Sequence, residues 1–295
     1  MKKAFTLVEL LVVIGILGIL TVTLMVSMSG GTESARAAKC LTNLKNLSSA
    51  VQTYAGVNTY YPLAGSIEKL KYDESDGISA AKKVYYERPG WLSWSSQGQY
   101  PSGSTKGGSG WFVSAYEENE DVRSHAITNG ALWKYLSGNR DIFVCPAHKI
   151  EQAGYNPLFT YMMNERFGWC SDGKPKSETW YGVKYGRLAN ADKILLFAEF
   201  QWKDLGDKVS GIRVLAPNSS AGTTFDCVLQ YKNENECIGF NHISGKDKVA
   251  HVAFADGHTE KLTLPKRGAD PTDLTEWLCE GIDVSFDGKV YEKVE

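Results

Sequence analysis

Residues Phe5–Met28 read FTLVELLVVIGILGILTVTLMVSM, and this one run decides the architecture. Fifteen of its 24 positions are Phe, Leu, Ile or Val, and Glu9 is its only charged residue. A membrane-spanning helix needs roughly 20 apolar residues, so the length suffices. At roughly −0.3 to −0.6 kcal/mol each, the large apolar residues outweigh one acid at about +3 kcal/mol, and Glu9 lies near the end, where the cost is lower. Insertion is therefore expected, with Lys2 and Lys3 holding the N-terminus in the cytoplasm and the rest of the chain outside. The acid still needs a reason to be there.

Three readings of the run compete. A cleaved secretory signal has small residues at Ser27-Met28-Ser29, but its apolar region is usually ~7–15 residues without an acid. A plain signal anchor leaves Glu9 unexplained. The third rests on Lys2-Lys3-Ala4 followed by Phe5-Thr6-Leu7-Val8-Glu9-Leu10-Leu11-Val12-Val13-Ile14, which resembles the leader junction of type IV pilins and type II secretion pseudopilins. The resemblance implies cleavage by prepilin peptidase between Ala4 and Phe5 and N-methylation of Phe5. It also implies that Glu9 pairs with the terminal amine of a neighbouring subunit. An opposite charge is what makes a carboxylate tolerable in hydrocarbon. Two departures stand out: Ala4 replaces the family's usual glycine, and no proline precedes Pro62. Gly15, Gly18 and Gly30-Gly31 become the points of flexibility or close packing.

Beyond residue 30, Ala37, Cys40, Leu41, Leu44, Leu47, Val51 and Tyr54 recur at steps of three and four. That spacing predicts a helix continuing over 30–60, with an apolar stripe on a sheet and Lys39, Asn43, Lys45 and Asn46 on the other side. It should end before Tyr60-Tyr61-Pro62. Short segments along the chain resemble a prepilin-like group that carries a late His–spacer–Asp-Gly element. They are Ala38–Lys45, Phe143–Pro146, Thr160–Asn164, Ile194–Glu199, Phe240–His242 and Val252–His258. Thirteen residues separate His242 from Asp256, against nine in that group. The expected fold is α+β: a leader over 1–4, a transmembrane and assembly helix over 5–29, its amphipathic continuation, and a pilin-like body over 61–295. That body is built on an antiparallel sheet with large inserted loops.

The chain has 295 residues and a net charge of −2, so no basic field points to nucleic acid. Residues 85–116 alternate Gly, Ser and Pro with Trp91, Trp94, Tyr100, Trp111 and Phe112. These aromatics either cover a local core or form a glycan- or partner-binding surface. The six cysteines show no CxxC pair. Outside the cytoplasm disulfides are the default: Cys227–Cys237 would close a short polar loop, and the resemblance adds Cys40–Cys145, since both lie in the prepilin-like segments.

His242, His251, Asp256 and His258 have metal-ligand chemistry. However, an Asp256-Gly257 type I′ hairpin would set Ala255 opposite His258 and His251 opposite Leu262. The last two histidines would then share a face about 13 Å apart at ~3.3 Å per residue, too far for one ion. Val284–Tyr291 reads as a second Asp-Gly hairpin, at Asp287-Gly288. No metal, cofactor or catalytic residue is assigned, and no hydrolase or nucleotide-binding motif occurs. The expected role is a non-enzymatic filament subunit at the bacterial inner membrane. Its expected partners are other pilin-like subunits, prepilin peptidase and the secretion or pilus machinery. The rival is a membrane-anchored envelope binding protein that uses the aromatic excursion.

Overall fold

The computed structural model describes residues 7–67, 90–94, 126–148, 158–168, 170–171, 174–175, 183–199, 227–230, 237–264, 267–268, 271–286 and 290–294. At 22–30, 66–67, 93–94, 170–171, 174–175, 267–268, 286 and 290 it describes the backbone alone. The chain is α+β. Helix α1, Leu7–Asn58, runs unbroken for 52 residues, about 78 Å at 1.5 Å per residue. It stops where the sequence predicts. Asn58 Nδ2 donates back to the Tyr54 carbonyl, Thr59 takes a positive φ of 69°, and Tyr61-Pro62 cannot continue the helix.

The main sheet has six strands: β1 Tyr161–Asn164, β2 Leu195–Glu199, β3 Val228–Leu229, β4 His242–Ser244, β5 Asp247–Phe254 and β6 Thr259–Thr263. Their spatial order is β6-β5-β2-β1-β3, with β4 also on β5. The pairings are antiparallel, as expected, except β1 with β3, which is parallel. Both β2 and β4 lie along the same edge of β5. The pair Ala198–Val252 ends one, and His242–Val249 begins the other. The last residue of β2 therefore meets the first of β4, 43 positions later. A second helix, α2 Pro271–Glu280, contacts β2. A small sheet of β7 Arg267–Gly268, β8 Val284–Phe286 and β9 Val290–Lys293 closes the chain. The β8–β9 antiparallel pair agrees with the second hairpin, while Asp287 and Gly288 lie outside the described residues.

The second half of α1 is part of the core. Cys40, Leu44, Leu47, Val51 and Tyr54 are buried at steps of four, three, four and three, and α1 packs chiefly on β5. Asn43, expected on the polar side, is fully buried instead. Its Nδ2 donates to the carbonyls of Asp141 and Val144 at 3.1 and 3.0 Å, docking the turn Arg140–Phe143 on the helix. Two backbone acceptors give the side chain a better partner than water.

The β5–β6 hairpin is one residue out of the expected register. Phe254, not Ala255, pairs with His258, and His251 sits opposite Lys261 rather than Leu262. The connection is the three-residue loop Ala255-Asp256-Gly257, with Gly257 at φ 99° and Asp256 Oδ1 accepting from the His258 amide. Three-residue hairpin loops put a glycine at such a left-handed position. Ala255 is drawn out of the ladder, since its carbonyl accepts from Gln52 and Tyr61 and its amide donates to Ile194.

Trp91 corrects the surface reading of the aromatic excursion. It is fully buried among Phe143, Phe159 and Phe197, with centroids 5.0–6.3 Å away, and its indole N–H donates to the Cys227 carbonyl. Tyr100, Trp111, Phe112 and the side chain of Trp94 lie outside the described residues. Trp91→Ala is expected to cost about 3–5 kcal/mol in equilibrium denaturation. A loss near zero would return Trp91 to the surface.

Candidate functional site

Two regions carry unusual chemistry. The first is the N-terminal half of α1. Every large apolar residue from Leu7 to Leu20 is exposed, from 44% at Val13 to 80% at Leu7. These are eleven residues, and no other part of the described chain covers them. At roughly 1.5–3 kcal/mol for each fully buried side chain, leaving them in water costs on the order of 10 kcal/mol. That is comparable with the whole stability of a domain. Glu9 lies among them and is exposed too. A Cβ added at Gly15 or Gly18 would meet nothing within 4 Å, so both positions are open to close approach by another helix. Ala4 and Phe5 lie outside the described residues. Among the described residues no helix is long and apolar enough to cross a membrane. Side chains are described over 7–21 of the run, short of the roughly 20 residues a span needs.

The second region is a buried polar cluster where α1 meets the sheet. The ligating atoms of Cys40, Cys145, Glu199 and His242 all lie within 4.8 Å of one another, and all four residues are buried. Each comes from a different element. Cys40 projects from the buried stripe of α1. Cys145 follows the turn Arg140–Phe143 and is fixed by its amide, which donates to Thr160 Oγ1 at 2.7 Å. Glu199 ends β2 and His242 starts β4, adjacent because the two strands share one edge of β5. The Nε2 of His242 is 3.3 Å from both Cys145 Sγ and Glu199 Oε2. Around these, the Tyr161 hydroxyl donates to Cys40 Sγ at 3.3 Å and the Ala147 amide to Cys145 Sγ at 3.4 Å. The ring of His251 lies 4.3 Å from that of His242, its diagonal neighbour on one face of the sheet.

Burial sets the electrostatics. It pushes the Cys145 thiol far up, so the sulfur is neutral at ordinary pH without a cation beside it. Burial also raises the Tyr161 phenol. The His242 imidazole is pulled down by burial and up by its contacts with Cys145 and Glu199, and the balance is upward. With Cys145 neutral, the Glu199 carboxylate carries that rise. His251 is lowered to about 4, by burial first and then by the positive charge of His242.

The sequence reading pairs Cys40 with Cys145 as a candidate disulfide and singles out His242 apart from them, and it gives no sign of Glu199 or Tyr161 as members of a site. Neither expected disulfide is formed in the structure, and Cys40, Cys145, Cys227 and Cys237 are all buried. Cys40 and Cys145 are neighbours within the cluster, while Cys227 Sγ faces the Ala64 carbonyl at 3.6 Å. Asp256 and His258 stand apart from the cluster. They pair with each other at 2.6 Å at the hairpin tip, where His258 stacks on Phe254. The corrected register puts His251 and His258 on opposite faces of the sheet rather than the same one, since Phe254 is three positions from His251.

Residues 1–25 match the family described as the prokaryotic N-terminal methylation motif. The chain carries a prepilin-type N-terminus. This motif is consistent with a type IV pilin or pseudopilin-like prepilin, and the match takes in Ala4, Phe5 and Glu9. It does not extend to His242 or Asp256-Gly257. No curated protein and no solved structure matches the chain.

His251 yields a signed pH prediction for protein kept in chelator. The unfolded imidazole binds a proton below about 6.5, whereas the folded one stays neutral down to about 4. His242, Glu199 and Lys261 are the charged groups around it. Stability contributed by this group is present above pH 6.5 and lost as the pH falls towards 4, at about 1.4 kcal/mol per pH unit. Urea denaturation across that window should show a shallower fall in His251→Gln than in the parent. Equal slopes would contradict the assignment.

Proposed function

We propose that this chain is a structural subunit of a pilin-like filament, either a type II secretion pseudopilus or a type IV pilus-like fibre. In this reading prepilin peptidase cuts between Ala4 and Phe5 and the new amine of Phe5 is methylated. The apolar half of α1 anchors the subunit in the bacterial inner membrane before assembly. It then packs against its counterparts in the filament. The body lies outside the cytoplasm, and the chemistry is assembly without turnover.

The observation that carries the reading is the division of α1. One half supplies core to its own body, and the other presents eleven exposed large apolar residues beside a prepilin-type junction. Uncovered apolar surface of that size drives association with lipid or with like helices. Glu9 needs a positive partner once it enters either setting, and the terminal amine freed at Phe5 is one of the right charge. The rival reading, an anchored binding protein with an aromatic face, loses Trp91 to the core.

Glu9→Ala separates assembly from folding. The exposed position predicts an unchanged denaturation midpoint for the body. The reading predicts that the variant falls at least roughly tenfold in sheared filament fractions, the ratio that about 1.4 kcal/mol of weaker subunit association produces. A variant that enters filaments as the parent does would remove Glu9 from assembly.

A further inference from the structure

We propose that Cys40, Cys145, Glu199 and His242 form a closed, structural Zn²⁺ site that fastens α1 to the sheet. The donor set is two sulfurs, one imidazole nitrogen and one carboxylate oxygen. Zinc takes all three donor types in tetrahedral sites, and thiolates disfavour Mg²⁺ and Ca²⁺. The geometry fits one ion. Ligands bound to Zn²⁺ at about 2.0–2.3 Å lie about 3.3 Å apart along a nitrogen–oxygen edge and about 3.6 Å along a sulfur–nitrogen edge. The corresponding separations here are 3.3 Å for His242–Glu199 and 3.3 Å for His242–Cys145, and all four atoms lie within 4.8 Å.

The surroundings suit a metal thiolate centre. Two thiolates and a carboxylate leave one net negative charge on a bound Zn²⁺, in a site closed to water. Each sulfur has a donor from outside the quartet: the Tyr161 hydroxyl on Cys40 and the Ala147 amide on Cys145. Such outer hydrogen bonds spread the charge and fix the ligands. Full burial of all four ligands leaves no open coordination position, so the site is structural rather than catalytic. Binding displaces three protons to solvent, one from each thiol and one from the His242 imidazolium, forms two sulfur–zinc bonds, one nitrogen–zinc and one oxygen–zinc bond, and involves no redox change.

The ion would tie together four segments far apart in sequence. It would do so at the point where the buried half of α1 begins. It would also occupy the sulfurs that a Cys40–Cys145 disulfide would otherwise consume, so the two states exclude each other.

The test uses the full chain, detergent-solubilised, reduced and stripped with chelator, then titrated with Zn²⁺ or Co²⁺ alone. The expected result is one ion per chain, protection of Cys40 and Cys145 from alkylation, a raised thermal midpoint, and cobalt spectra with a thiolate charge-transfer band and tetrahedral d–d bands. His242→Gln and Cys145→Ser should weaken binding by more than the roughly 10–100-fold that loss of an outer partner costs. Glu199→Gln keeps the side chain's shape while removing its charge and should also weaken binding. Cys237→Ser, at a buried thiol outside the quartet, should leave it intact. A chain folded by circular dichroism that gives no charge-transfer band overturns the proposal. So does binding abolished by Cys237→Ser but not by Cys145→Ser, or a Cys40–Cys145 disulfide in protein taken from its own cells with thiols trapped.

Discussion

A single unbroken helix must satisfy two environments, and the rest of the structure follows from that constraint. From Cys40 to Ala55 its stripe is the floor of the core, and the sheet cannot bury its inner face without it. From Leu7 to Leu20 the same helix carries large apolar side chains on every side, with nothing in the described chain against them. Burial of the C-terminal half makes a folded body, while exposure of the N-terminal half leaves apolar surface uncovered within the described chain. The balance matters because on the order of 10 kcal/mol of uncovered apolar surface is as large as the stability of a typical domain. In the proposed role, lipid or copies of the same helix supply the cover that the described chain does not.

The helix is legible in the sequence because its signals are local. Steps of three and four from Cys40 to Tyr54 declare a buried face, and Tyr61-Pro62 declares an end. The α+β class and the late hairpin are legible for the same reason. What fails is whatever depends on a partner distant in the chain. Asn43 looks like a solvent residue until the carbonyls of Asp141 and Val144 arrive. The register of β5 and β6 slips by one because Gln52, Tyr61 and Ile194 pull Ala255 out of the ladder, a competition that no hairpin rule contains. Trp91 sits in a Gly- and Ser-rich stretch whose sequence leaves a local core and a binding surface both open, and only its distant partners place its ring at the centre of the core.

The buried cluster shows the same limit more sharply. Ala38–Lys45, Phe143–Pro146, Thr160–Asn164, Ile194–Glu199 and Phe240–His242 are each recognisable as segments. Each contributes one residue: Cys40, Cys145, Tyr161, Glu199 and His242. Their convergence depends on β2 and β4 occupying one edge of β5 end to end, a consequence of topology and not of spacing. Buried polar groups in mutual contact are costly unless fully matched, and they fix one arrangement of the elements that carry them. This cluster thus aligns α1 with the sheet, and with it the direction in which the apolar half projects from the body.

In the proposed role the uncovered half of α1 is an assembly segment released by prepilin-type processing. Intact-mass and N-terminal peptide mass spectrometry of the protein from its native membrane tests this most directly. The expected product is a chain that begins at N-methylated Phe5, without Met1–Ala4. A chain that retains the leader, or one that begins at Gly30 after removal of the whole apolar run, would contradict it.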